Sequence, residues 1–282
     1  MLVRTFYETF IFLRGQKPVQ FKIMGGDKRF EILENLLIEN GHMPDDNARF
    51  IILPLPLTRD GETLNAPREK HKIKLSDIIL AADEGDIFFG GLVPGDFKAK
   101  ILAAGAVIYD YNALDRFAEL NAIPTAEGAL AIAVNATDYS LYGAKCLISG
   151  YGKIGKVLAR YLKSLGALVT VSARKQSDFD FAEKENIPYI HSKDIAAHVA
   201  DFPLIFNTVP CRIFGADVID LFSKNTLYIE LASKPYGIDF ELAKAKGVEV
   251  INAPSLPAIV APKTAAKNIY KAIFHIIREE FS

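Results

Sequence analysis

Gly150, Gly152 and Gly155 stand at the spacing G-x-G-x-x-G within "LISGYGKIGKVLARYLKSLGALVTVSARKQ", residues 147–176. Glycines in that order can cradle a phosphate. The first allows a tight turn, the second lets backbone approach a pyrophosphate, and the third lets a helix pack on a strand. The chemistry needs an apolar strand before the turn and a helix after it, so that N–H groups and the helix dipole face the anion. Lys145–Ser149 reads as that strand. Val157, Leu158, Tyr161, Leu162 and Leu165 fall on one face of a helix that starts near Lys153. Gly150, Gly152, Lys153, Ile154 and Gly155 are therefore the expected phosphate contacts of a dinucleotide.

A second strand ends about twenty residues beyond the glycines, where such a unit discriminates the ribose. An acid there would hold the 2′-hydroxyl of NAD, but this chain has Arg174 and Lys175. A guanidinium forms charge-assisted bonds with phosphate, so the residues favour NADP over NAD, with Ser172, Lys175 and Ser177 helping Arg174. "FNTVP" (206–210) ends a further strand, and Thr208, Val209 and Pro210 are expected to shape the nicotinamide side. Cys211 follows without a basic partner and reads as a small thiol rather than a nucleophile.

Three loops bring hydroxyls, cations and helix starts together. Thr125 follows Pro124 with Glu127 just beyond it. Ser233 and Lys234 lie at a strand's carboxyl end, and "APSLPAIVAPKTA" leads to Lys263 and Thr264. Each Thr also fits a plain N-cap. Together the loops suit a small carboxylated substrate, with Thr125, Ser233, Lys234 and Thr264 as contacts and Glu127 and Lys263 as catalytic groups. The five histidines show no metal-ligand spacing, and no metal site is expected; His191 and His198 read as residues of a surface helix.

The elements that must position these groups alternate along the chain. Short apolar runs at Lys145–Ser149, Leu168–Ser172, Pro203–Asn207, Thr226–Leu231 and Val248–Ile251 are separated by helical patterns, which implies a doubly wound parallel sheet. The N-terminal half repeats this less cleanly, with strands in "VQFKIM", "RFIILPL", "DIFFGG" and "AVIYD". Gly41–Asn47 is too short to hold the strand expected there. Ala265, Ile269, Ile273 and Ile276/Ile277 make one long stripe that must bury against something. The expected fold is therefore α/β: two Rossmann-like domains with doubly wound, mainly parallel sheets, and a C-terminal helix crossing back to the N-terminal domain. The N-terminal α/β domain, for substrate or partner, spans 1–122 and is joined by helix 263–282. The NADP-binding domain spans 123–262, with a linker helix at 124–138, and ligands are expected in a cleft between the sheets.

Composition narrows the classes. The chain has 282 residues, half of them hydrophobic, with 33 basic and 34 acidic side chains and a net charge of −1. Nothing resembles the basic footprint of a nucleic-acid binder, and the basic run "REKHKIK" (68–74) reads as a solvated loop. Two cysteines without a C-x-x-C pair suit a reducing cytosol. Arg4, Glu8 and Arg14 interrupt the apolar opening segment, so it reads as an extension packed on the body, not a signal or membrane span. A cytoplasmic protein is expected.

The segments "IPTAEGALAIAVNATDYSLYG", the glycine turn, "SAR", "NTVP", "LASKPYGIDFELAKAKGV" and "APSLPAIVAPKTA" together resemble the family of the dipicolinate synthase A subunit, over roughly residues 123–268. "IMGGDKR" and "IILPLP…DGE" are similar to it more loosely. The first twenty residues, Cys211 and Glu230 depart from the family's pattern. The resemblance implies oxidation of 4-hydroxy-tetrahydrodipicolinate or dihydrodipicolinate, from the diaminopimelate (lysine) branch, to pyridine-2,6-dicarboxylate in spore formation. NADP would accept the hydride. It further implies a partner, the flavoprotein-like B subunit of dipicolinate synthase, and leaves a homo-oligomer open. The competing readings are a shikimate-dehydrogenase-like NADP oxidoreductase, and a non-catalytic NADP-binding regulatory protein.

Overall fold

The structure, a computed structural model, describes residues 18–281; the reading of the opening segment as a packed extension lies outside them. The chain divides into two compact units. One joins the chain up to Ala118 to the segment from Pro262 onward, and the other is Glu119–Ala261.

The first unit holds β1 (Gln20–Ile23), β2 (Met43–Pro44), β3 (Phe50–Ile52), β4 (Ile87–Gly90) and β5 (Val107–Asp110) in the order β2-β1-β3-β4-β5. All its pairings are parallel. A strand does occupy the segment 41–47, against the expectation from its length. Two residues suffice because β2 is an edge strand, with Met43 opposite Gln20 and Pro44 opposite Phe21. Proline is tolerated there, since an edge need not donate on both sides.

Helix α1 (Lys28–Glu39) follows β1 and is capped by Asp27, which accepts from Arg29 N. Phe30, Leu33 and Leu37 share a buried cluster with Ile269, Ile273, Phe274 and Ile276. The last four belong to the C-terminal helix Pro262–Phe281, which therefore completes the core of the first unit. His42 fastens it: Val19 N donates to Nδ1 (3.2 Å), which leaves Nε2–H for Tyr270 Oη at 3.2 Å. The ring also stacks on Phe274 at 4.6 Å. Burial holds the pKa of His42 below its ordinary value, as the neutral tautomer in these bonds requires.

The second unit holds β6 (Lys145–Ser149), β7 (Leu168–Ala173), β8 (Tyr189–His191), β9 (Leu204–Asn207), β10 (Leu227–Glu230) and β11 (Glu249–Asn252), in the order β11-β10-β9-β6-β7-β8. This is the Rossmann order, in which the direction of winding reverses between β6 and β9. The strands β9 and β10 are buried along their whole length, because helices cover both faces of a parallel sheet.

Two sequence expectations give way here. His191 ends a strand, and His198 follows a 3-10 helix, Ser192–Ala197, so they share no helix. The run "PYIH" is too short and too polar to reveal an edge strand by periodicity. Helix α2 spans Asp115–Ala136 and contains Pro124 rather than starting after it. Burial of Ala122, Ala126, Ala129 and Ala133 on one face outweighs the local break, and Thr125 Oγ1 donates to Asn121 O one turn back (2.7 Å).

Candidate functional site

The glycine turn leaves β6 at Ser149 and enters helix α3 (Lys153–Ser164). Gly150 has φ +95°, and a Cβ there would sit 2.4 Å from Thr208 Oγ1. A Cβ on Gly155 would lie 2.2 Å from the carbonyl oxygen of Gly150. Both positions are closed to any side chain. Gly152 differs: a Cβ there meets nothing within 4 Å, and as N-cap it offers α3 no side-chain acceptor. The open side of the turn thus faces outward at a helix N-terminus, the geometry in which backbone N–H groups receive a phosphate. The turn fits a dinucleotide. Lys153 and Ile154 lie half-buried in the first turn of α3.

Thr208 is committed to the turn itself. Its backbone N (2.8 Å) and its Oγ1 (3.0 Å) both donate to Ser149 O, which ties the "NTVP" segment against Gly150. Val209 is half-buried beside the turn, and Pro210 is exposed.

Arg174 and Lys175 follow β7 and are both exposed. The acid just downstream, Asp178 in helix α4 (Gln176–Lys184), turns instead to Lys156 of α3 at 3.5 Å. Ser172 is fully buried, and its Oγ has no partner among the described residues.

One polar row crosses the carboxyl end of the sheet. Ser172 pairs in register with Ser149, Ser149 with Asn207, and Asn207 with Glu230. All four are buried. The Glu230 carboxylate receives Asn207 Nδ2 (2.7 Å), Gly237 N (2.8 Å), Ala232 N (3.0 Å) and Tyr228 Oη (3.2 Å). Burial raises its pKa above the ordinary value despite these donors. Glu230 therefore fixes the loop 231–237, which presents Ser233 and Lys234 to solvent, and couples it through Asn207 to the "NTVP" segment. Sequence reasoning misses this clamp. Its one signal is a single acid closing the otherwise apolar strand "LYIE".

The remaining expected residues lie on other elements. Glu127 is exposed in a groove of about 610 Å³ with Tyr161, Ser164 and Leu165. Tyr161 lies about 12 Å along α3 from Lys153 at 1.5 Å per residue, so Glu127 stands away from the glycine turn. Thr125 is inside α2 and caps nothing. Helix α5 (Pro262–Phe281) starts before Lys263 and Thr264, which occupy its exposed first turn in the other unit. Thr264 is thus no N-cap either; Pro262 takes the first helical position, where its missing N–H costs nothing. Among the described residues no three His, Cys, Asp or Glu side chains gather as metal ligands, and no helix is long and apolar enough to cross a membrane.

No family model matches the chain. The dipicolinate synthase A subunit of Bacillus subtilis (strain 168) is 34% identical over 165 residues, which span 58% of this chain and 56% of that relative. The chain therefore matches little more than half the length of this curated relative. Solved structures extend the likeness in fold. The dipicolinate synthase A subunit from Bacillus halodurans superposes with a TM-score of 0.85 at 24% identity, covering 93% of this chain and 99% of that one. The corresponding Bacillus subtilis structure gives 0.84 at 26% identity, covering 94% and 97%. A transhydrogenase from Sinorhizobium meliloti shares the fold alone, with a TM-score of 0.70 at 13% identity over 92% of this chain and 93% of that chain. The chain resembles the family of the dipicolinate synthase A subunit, in sequence across those 165 residues and in fold over nearly its whole length.

Proposed function

We propose that the chain is an NADP-dependent oxidoreductase that converts 4-hydroxy-tetrahydrodipicolinate, by way of dihydrodipicolinate, to pyridine-2,6-dicarboxylate, working with a flavoprotein-like B subunit. The observation that carries this reading is the open phosphate cradle at Gly152 followed by two exposed cations where an NAD enzyme needs an acid. The likeness to dipicolinate synthase supplies the substrate. Water leaves the hydroxylated ring first, and the dihydropyridine then loses one hydride and one proton to become aromatic. Bound NADP⁺ would supply the hydride acceptor.

The chain's own task is holding and orienting. Gly150, Gly152, Lys153, Ile154 and Gly155 hold the pyrophosphate, and Arg174 with Lys175 pairs the 2′-phosphate. Asp178 supports that assignment, because its pairing with Lys156 leaves the strand end cationic. Val209 and Pro210 border the nicotinamide, while Thr208 secures the turn beneath it. Ser233 and Lys234, on the loop held by Glu230, contact a substrate carboxylate.

A second reading, a non-catalytic NADP-binding protein, is favoured by one observation: Glu127, the carboxylate expected to be catalytic, lies beside α3 away from the turn. Incubating the protein with NADP⁺ and the tetrahydrodipicolinate precursor, by itself and with the B subunit, separates the two. Absorbance of NADPH rising once the B subunit is added is the expected result, and a rise with this chain alone would assign the catalysis to it. Tight cofactor binding without turnover in either mixture defeats catalysis and leaves the regulatory reading.

A further inference from the structure

The first unit carries a cavity of about 380 Å³ that the cofactor reading does not use. Its walls include Asp27, which follows β1, and Arg59, Asp60, Thr63 and Asn65, which follow β3. In the order β2-β1-β3-β4-β5 the winding reverses between β1 and β3, and ligands of such sheets bind outside the strand ends at that reversal. The volume falls within the range of small-molecule sites, about 300–1,000 Å³.

The charges in the cavity are unevenly spent. Asp27 is engaged by the buried Arg29, with Nη2 to Oδ2 at 2.7 Å and Nε to Oδ1 at 2.9 Å. Asp60 is consumed by its own turn, accepting from Thr63 Oγ1 (2.6 Å), Thr63 N (2.8 Å) and Glu62 N (2.9 Å). These bonds hold its carboxyl well below the usual range. Asp60 draws its donors from its own turn, and Asp27 feels the charge of Arg59 but takes its side-chain hydrogen bonds from Arg29. Arg59 has only Nε engaged among the described residues, donating to Asn65 Oδ1 at 3.2 Å. Asn65 is itself buried and fixed, with Nδ2 donating to Pro56 O (3.1 Å) and its carbonyl accepting from Gly26 N (2.9 Å). A buried amide thus steadies a guanidinium whose two terminal amino groups remain for a ligand. Lys70 and Lys72, from the basic run read as a solvated loop, add positive charge to the same walls, where Glu69 is the one acid besides Asp27 and Asp60.

We infer that this cavity binds a carboxylate of a small organic acid, with Arg59 as its bidentate partner and Asn65 as the residue positioning Arg59. A planar fork matches a carboxylate in geometry as well as charge. The inference builds on the proposed function in taking that carboxylate to be one of the two on the pyridine substrate.

Calorimetric titration of the full chain with pyridine-2,6-dicarboxylate tests it. Arg59→Gln should weaken binding at least tenfold, or about 1.4 kcal/mol, with NADP affinity unchanged. Arg59→Lys should recover part of the loss, and Lys98→Gln, an exposed charge outside the cavity, should behave as the parent. Wild-type affinity in Arg59→Gln overturns the site while the proposed function stands. If the parent ignores the pyridine but binds malonate or glutarate in an Arg59-dependent manner, the site stands and the proposed substrate falls. Binding of no carboxylate at all overturns the site.

Discussion

Glu230 is a buried acid with four donors: one at the end of β9, one on its own strand and two in the loop 231–237. A glutamine there keeps one acceptor oxygen and turns an amide N–H₂ toward groups that also donate. Glu230→Gln should therefore cost about 1–3 kcal/mol, the usual effect of leaving buried polar groups unmatched. The pH dependence gives a second readout. Burial raises the folded pKa, so the native state keeps this proton after the unfolded chain has released it. The contribution is present at low pH and is lost as pH rises from the ordinary carboxylate range through the raised value. Denaturant midpoints measured across that interval should fall in the parent protein and lose this component in Glu230→Gln. Arg174 acts on the ligand instead of the fold. Being exposed, it can be removed with little effect on stability, yet Arg174→Ala should weaken NADP about tenfold or more and NAD hardly at all. Equal losses for both nucleotides in a binding titration would count against the assignment.

At the scale of elements, the strand–turn–helix unit from β6 to α3 stands or falls on two closed glycines. Gly155→Ala would place a methyl group against the Gly150 carbonyl, and backbone cannot rotate away as a side chain can. The turn must open or the helix must shift, at an overpacking cost of about 1–3 kcal/mol. Thermal unfolding should register that loss, and nucleotide affinity should drop with it. Gly152→Ala is the informative partner, since its Cβ enters open space: stability should hold while dinucleotide binding falls. The elements themselves are largely visible in sequence. Lys145–Ser149 is bounded in the structure as the apolar run suggests, and the stripe Ala265, Ile269, Ile273 and Ile276 is buried. What periodicity misses are β2 and β8, edge strands of two and three residues, and the continuity of α2 through Pro124. Short edges bury too little to leave a period, and a buried alanine face can carry a helix across a proline.

For the whole molecule, the first unit is not a continuous stretch of chain. Its core borrows Ile269, Ile273, Phe274 and Ile276 from the C-terminal helix. Each fully buried large apolar side chain contributes about 1.5–3 kcal/mol, so together they approach the net stability of an ordinary domain, about 5–15 kcal/mol. Truncation before Pro262 should leave residues 18–118 unfolded, while Glu119–Ala261 retains its sheet. Amide hydrogen exchange would show protection lost across β1 to β5 and kept across β6 to β11. Protection of β1 to β5 in the truncated chain would refute this dependence. The sequence by itself determined the alternation of strands and helices, the glycine turn and the cations that follow it. These are local patterns, dictated by backbone freedom and by period. Only the tertiary structure decided that Glu230 joins Asn207 to the loop of Lys234, that Glu127 stands away from the turn, and that Arg59 meets Asn65 over a cavity. The first depends on strand order and register, which bring together residues far apart in the chain, the second on how two helices pack, and the third on the fold of one loop; none leaves a local periodicity to read.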